Sequence, residues 1–313
     1  LELKPNFSGA YNNMSISQWE IGDSKSAIKS AEQALKIKPD FAEAYLNMGS
    51  AQHQKDDFFA AIESYKNALK IKPDYADAYN NMGNAQRDMG DLETAIKSYR
   101  KTLKYRPNYA EAYNNIGIAF KDKGDLDQAI DSYMQALKIK PNYAEAHSNM
   151  GIALKDKGNL KAAIDSYSQA LKINPKYAKA YHNMGISQKA KGDLDAALDS
   201  YKKALNIEPN YAEVFINIGN IQSDKGNLNS AIKSYKQALK IKPSYAEAFY
   251  NLGIAFKDKG DLSEAINSFK QTLEINPDYA EAQHLLACST GKTTASAPRA
   301  YVEKLFDGYS HRF

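Results

Sequence analysis

The chain has 313 residues, 43% of them hydrophobic and 25% charged, with a formal net charge of +4. It is therefore able to bury apolar surface, while no apolar run approaches the ~18 residues of a membrane span and the start shows no basic-then-apolar secretory signal. The single cysteine, Cys288, excludes an internal disulfide and a cysteine zinc cluster and fits a reducing compartment, so the expected location is cytoplasmic, with no membrane partner.

Residues 1–7 read as the end of a second helix, which predicts a further repeat upstream. From there the prolines set a rhythm. Pro5, Pro39, Pro73, Pro107, Pro141, Pro175, Pro209, Pro243 and Pro277 stand 34 residues apart, and only Pro298 lies outside the series. Eight units of 34 residues fill 8–279.

Each unit predicts two helices. From Ala110 to Tyr143, Tyr113, Ile116, Gly117 and Phe120 recur at helical spacing. Gly124 suits a left-handed helix end and Asp125 an N-cap. Ala129, Ile130, Tyr133, Ala136 and Leu137 mark the second helix, with Lys138 and Lys140 at its end, and Pro141 forbids continuation. The cap position holds Asp23, Asp57, Asp91, Asp125, Asn159, Asp193, Asn227 and Asp261. The eighth position is Gly in seven units and Ser15 in the first, and the twentieth is always Ala, which predicts close helix approach.

After the eighth unit, 280–290 predicts a capping helix with Leu285 and Leu286 on the last repeat. Residues 291–297 read as a linker, and 298–313 as a further amphipathic helix carrying Tyr301, Leu305 and Phe306.

The period and these signature residues resemble the tetratricopeptide repeat over about nine-tenths of the chain. The first unit departs most, with Ser15, Gln18 and Ala31, and His147 replaces the aromatic of the fifth. The resemblance implies an all-α, right-handed superhelical solenoid with first helices lining a concave groove. The natural function of such an array is a protein–protein interaction scaffold that holds extended peptide or protein segments. Exposed ends of a solenoid also allow self-association.

Position 6 of every unit is asparagine: Asn13, Asn47, Asn81, Asn115, Asn149, Asn183, Asn217 and Asn251. At about 100° per residue it falls opposite the helix pair's own core. An amide both donates and accepts, so a regular row could clamp a peptide backbone without reading its sequence. The row resembles the asparagine ladder of O-linked N-acetylglucosamine transferase arrays. Bonding between neighbouring helices is the other reading and stays open at this point. If the amides are solvated, Ala replacements should cost little stability.

Ile118, Ile152 and Ile186 at position 9 offer apolar contacts in the groove, and Lys121, Lys155 and Lys189 at position 12 stand beside it. Positions 2 and 13 together carry twelve acids against six basic residues at positions 2 and 12. That balance predicts a negative groove unsuited to nucleic acid and favouring neutral or basic peptides. The lysines at second-helix ends, Lys38, Lys72, Lys140 and Lys242 among them, read as solvated partners of the helix dipole.

No catalytic constellation is present. The histidines are scattered, and Thr290-Gly291-Lys292-Thr293 lacks the earlier glycine of a phosphate loop, since Leu286 stands there. No cofactor and no enzymatic activity are expected. The tail from Ala297 resembles the entry to methyltransferase domains that follow such arrays. The alternative reading is thus a substrate-docking or regulatory region of a larger methyltransferase or glycosyltransferase.

Overall fold

A computed structural model describes residues 7–291. The expectations for 1–6 and for 292–313, the upstream repeat end, nearly all of the linker and the amphipathic tail, lie outside the described residues. The described residues form seventeen α-helices with no strand.

The chain divides into two compact units, Leu1–Ile173 and Asn174–Phe313. In the first, α1 (Ser8–Glu20) pairs with α2 (Ser24–Ile37) and α3 (Ala42–Gln54) with α4 (Phe58–Ile71). Then come α5 (Ala76–Asp88) with α6 (Leu92–Tyr105), α7 (Ala110–Asp122) with α8 (Leu126–Ile139), and α9 (Ala144–Asp156) with α10 (Leu160–Ile173). In the second unit α11 (Ala178–Ala190) pairs with α12 (Leu194–Ile207), α13 (Ala212–Asp224) with α14 (Leu228–Ile241) and α15 (Ala246–Lys259) with α16 (Leu262–Ile275). α17 (Ala280–Ser289) packs on α16, and its Leu285 is buried in the cluster around Phe256 and Phe269. Within each unit a pair contacts the next pair, so the core is distributed along the stack.

Turn chemistry separates the two helices of each pair. Gly124 takes φ 83°, a left-handed value that costs glycine little. Repeat 2 places Asp56 there instead, at φ 60°. Of the eight cap positions, Asp23, Asp57, Asp91, Asp125, Asn159 and Asp261 accept a backbone N–H three residues on. Asp193 and Asn227 make no such bond. The Asp193 carboxylate is held instead by Lys191 Nζ at 2.7 Å.

The close approach expected at position 8 has one specific cause. A Cβ added at Gly117 would lie 2.5 Å from Tyr133 Cε1, so the position-24 ring occupies the space a side chain would need. The same contact recurs from Gly49–Tyr65 to Gly253–Phe269. Repeat 1 resolves it the other way. Ser15 at position 8 faces a repeat whose position 24 is Ala31, and both are fully buried. Ser15 and Ala31, two of the first repeat's departures, therefore compensate each other in volume.

A second exchange joins positions 11 and 23. Where position 11 is glutamine, the serine hydroxyl donates across to it: Ser30 to Gln18, Ser64 to Gln52, Ser98 to Gln86, Ser200 to Gln188 and Ser234 to Gln222, at 2.6–2.7 Å. Where it is Phe120, Leu154 or Phe256, the hydroxyl of Ser132, Ser166 or Ser268 turns back to the carbonyl four residues earlier. Each choice keeps a buried polar group bonded.

Position 9 decides the fate of the buried tyrosine. Tyr99 donates to Asn84 Oδ1 at 2.8 Å and Tyr235 to Asn220 Oδ1 at 2.8 Å. Over Tyr133 and Tyr201 position 9 is Ile118 and Ile186, and both hydroxyls are buried without a hydrogen-bond partner. Burial pushes the Tyr133 phenol well above its ordinary pKa, so it stays neutral. Tyr133→Phe is accordingly expected to be neutral or stabilising, because a desolvated hydroxyl is removed. Tyr99→Phe should cost about 1 kcal/mol for the lost bond. Thermal denaturation of both variants checks this, and equal effects would refute the rule.

Candidate functional site: the first-helix face

On the first helices, positions 6 and 13 fall away from the pair's own core, position 5 is largely buried, and position 9 borders the partner-helix tyrosine. The asparagines do not all point freely to water. Asn13 is exposed, whereas Asn47, Asn81, Asn115, Asn149, Asn183, Asn217 and Asn251 are half-buried.

The amide nitrogens of Asn47, Asn81, Asn115, Asn149, Asn217 and Asn251 reach back one repeat. Asn47 Nδ2 donates to Asn12 Oδ1 at 2.8 Å and Asn149 Nδ2 to Asn114 Oδ1 at 3.1 Å. Asn115 Nδ2 lies 3.2 Å from both Asn80 Oδ1 and Asn84 Oδ1. Asn81 Nδ2 contacts Ser50 Oγ at 3.4 Å. In the second unit Asn217 Nδ2 bonds His182 Nε2 at 2.8 Å, and Asn251 Nδ2 donates to Asn220 Oδ1 at 3.2 Å. The acceptors at position 5, Asn12, Asn80 and Asn114, are buried, and so they need these bonds. Among the described residues no hydrogen bond reaches Oδ1 of Asn47, Asn115, Asn149 or Asn251, so the carbonyl is the group left for a ligand.

Position 5, whose variation from Asn80 and Asn114 to His182, Ile216 and Tyr250 reads in the sequence as a place for specificity, was not anticipated as the ladder's bonding partner. Its varied identities (Asn12, Asn80, Asn114, His182) hid a common task, since every one of these side chains offers an acceptor. In four units, those of Asn47, Asn115, Asn149 and Asn217, the sixth residue pairs with the preceding unit's fifth, and that polar pair was the available signal.

Ile118, Ile152 and Ile186 are half-buried, and Ile118 and Ile186 pack against the clusters around Tyr133 and Tyr201 respectively. Ile118 and Ile186 roof the phenols as well as presenting an apolar surface. The charges are paired more closely than the residue count suggested. Lys121 Nζ lies 2.8 Å from Asp122, Lys155 Nζ 3.0 Å from Asp156, Arg87 2.9 Å from Asp88, and Lys189 Nζ 3.6 Å from Asp224 of the next repeat. Position-12 cations thus offset position-13 acids locally.

Three of the position-2 acids, Asp77, Glu111 and Glu213, are answered by helix-end cations. Arg106 bonds Asp77 through both terminal nitrogens, at 3.0 and 3.1 Å. Lys140 reaches Glu111 at 3.0 Å, and Lys242 Nζ lies 3.9 Å from Glu213. Helix-end cations also sit over the aromatic ring that closes their own repeat. Lys72 lies 4.5 Å from the Tyr75 centroid, Lys140 4.5 Å from Tyr143 and Lys242 4.4 Å from Tyr245. Lys140 and Lys242 are not merely solvated dipole partners, because each finds both a carboxylate and a ring face. Burial, with Asp77 beside it, pushes the Tyr109 phenol up to about 12, and the neutral hydroxyl donates to Asp77 Oδ1 at 3.1 Å.

Among the described residues no group of three His, Cys, Asp or Glu could hold a metal, and no helix is long and apolar enough to cross a membrane.

Residues 19–56, 53–90, 83–124, 119–158, 153–192, 188–226 and 219–260 match the family model described as TPR repeat, and 246–279 the one described as tetratricopeptide repeat. No curated protein sequence matches. Among solved structures, a chain of the APC/C hetero-tetramer Cut9–Hcn1 is similar with a TM-score of 0.62 and 18% identity. That alignment covers 85% of this chain and 52% of the other, so this chain spans about half the length of that relative. PilF of Pseudomonas aeruginosa is similar with a TM-score of 0.60 and 20% identity, over 68% of this chain and 96% of PilF.

Proposed function

This chain belongs to the tetratricopeptide repeat family, and on that premise we propose that it is a non-catalytic scaffold whose first-helix face holds extended polypeptide segments. The observation that supports this most is the oriented amide row. The ladder nitrogens of Asn47, Asn115, Asn149 and Asn251 are tied to the preceding repeat, which orients each side chain and leaves its carbonyl oxygen available. A row of fixed acceptors suits backbone N–H groups, which every residue but proline supplies. Fixing the side chain beforehand lowers the entropy lost on binding. Ile118 and Ile152 add apolar contact beside the row. Paired charges at positions 12 and 13 weaken the expected bias against acidic peptides, so selectivity by overall charge is modest.

Photo-crosslinking tests the proposal. A benzophenone amino acid placed at Ile118 or Ile152 is expected to trap polypeptide partners from cell extract. The same group at Met134, exposed on second helix α8, is expected to trap few. Equal yields from both faces would overturn the groove reading.

A further inference from the structure

One stretch of the first-helix face differs from the rest. From repeat 3 through repeat 6, position 12 supplies a cation, Arg87, Lys121, Lys155 and then Lys189, that lies on a position-13 carboxylate. In repeats 1 and 2 the position holds aromatic rings instead, Trp19 and His53. A cavity of about 420 Å³ opens where they stand, lined also by Phe58, Tyr65, Asp56 and Asp88. Trp19 remains 39% exposed. His53 and Phe58 pack with ring centroids 5.4 Å apart, which holds part of the wall.

Two carboxylates share this aromatic cavity. Asp56 stands where the turns of the other seven repeats have glycine, in a left-handed conformation, and makes no ion pair among the described residues. Asp88 Oδ1 accepts from Arg87 Nε and a terminal nitrogen, and Asp88 Oδ2 is 2.9 Å from His53 Nε2. Oδ2 keeps room for a second donor, and the side chain is 34% exposed.

We propose that this cavity is a subsite for a cationic side chain, lysine or arginine, of a bound polypeptide. The stem and charge lie against Trp19, the ring type with the strongest attraction for cations, and the head reaches Asp56 and Asp88. The array uses the same chemistry internally, with Lys72 over Tyr75 and Arg106 over Tyr109 while bonded to Asp77. In repeats 1 and 2 the protein withholds its own position-12 cation, and the ligand supplies one. The inference rests on the groove reading only in taking the side chain from a polypeptide.

Trp19 is the sole tryptophan, so its fluorescence reports on this cavity alone. The probes are blocked tripeptides with arginine, lysine, norleucine, tyrosine or glutamate between two glycines. Each spans at most about 10 Å, too short to engage the ladder over several repeats. Saturable change in Trp19 emission is expected with arginine and lysine, at least fivefold weaker with norleucine, tyrosine and glutamate, and weakened by 1 M salt. Asp56→Asn, at an exposed turn, is expected to lower the affinity for the arginine probe several-fold with an unchanged melting temperature. Asp88→Asn should lower it further. Equal binding of norleucine or tyrosine, no saturable binding of arginine, or full affinity in both variants would overturn the proposal. Crosslinking at Ile118 can fail while these probes bind, and the converse, so the two readings fail separately.

Discussion

Gly117→Ala is expected to destabilise the protein by about 1–2 kcal/mol, although alanine is the better helix former. The added Cβ would stand 2.5 Å from Tyr133 Cε1 and 2.7 Å from Cδ1, so the ring or the helix must move. Tyr133 is fully buried at the junction of α7 and α8, and a packed ring has nowhere to go. Overpacking of this kind costs about 1–3 kcal/mol, and the propensity gain of about 1 kcal/mol offsets only part of it. A melting temperature equal to or above that of the parent would refute the packing account. The control is the double variant with Tyr133→Ala. Losing the ring is itself costly, but alanine at 117 should then be tolerated, as Ser15 beside Ala31 is in repeat 1. The cycle should give a coupling energy that favours the pair.

Asn115→Ala is expected to cost about 1–2 kcal/mol, and Asn149→Ala a similar amount. The substitution removes the donor at 3.2 Å from Asn80 Oδ1 and Asn84 Oδ1, and Asn80 is only 6% exposed. A buried acceptor left without its partner loses about 1–3 kcal/mol, more than alanine's helix propensity returns. In Asn149→Ala the abandoned acceptor is Asn114, at 4% exposed. Asn13→Ala is the contrast, since that side chain is exposed, and its effect should lie within ~0.5 kcal/mol. Chemical denaturation of the three variants decides. If Asn115→Ala is as stable as the parent, the amides are solvated and the expectation drawn from helical phase alone stands.

The Gly117 contact and the asparagine row were legible in the sequence to different depths. The Gly117 contact was half visible: a small residue in seven units implied close approach, while the ring it meets stands sixteen residues away on the next helix. The asparagine row was visible as a repeated position facing away from its own helix pair. Its direction was not, because helical phase refers to one pair and says nothing of what the neighbouring pair brings alongside.

The 34-residue rhythm of proline, the alanines at position 20 and the capping residues at position 16 were sufficient to specify paired helices and their boundaries. Those features act through bonds and sterics within a few residues, so they can be read along the chain. Stacking decided the rest. It brought Asn115 to Asn80, Lys189 to Asp224, and Trp19 and His53 to one cavity with Asp88. Each such contact joins residues about one repeat apart, 31 or 35 positions for the amides, and depends on how successive pairs register. A hydrogen bond is lost over a few tenths of an ångström, so only the packed structure could show which polar groups meet.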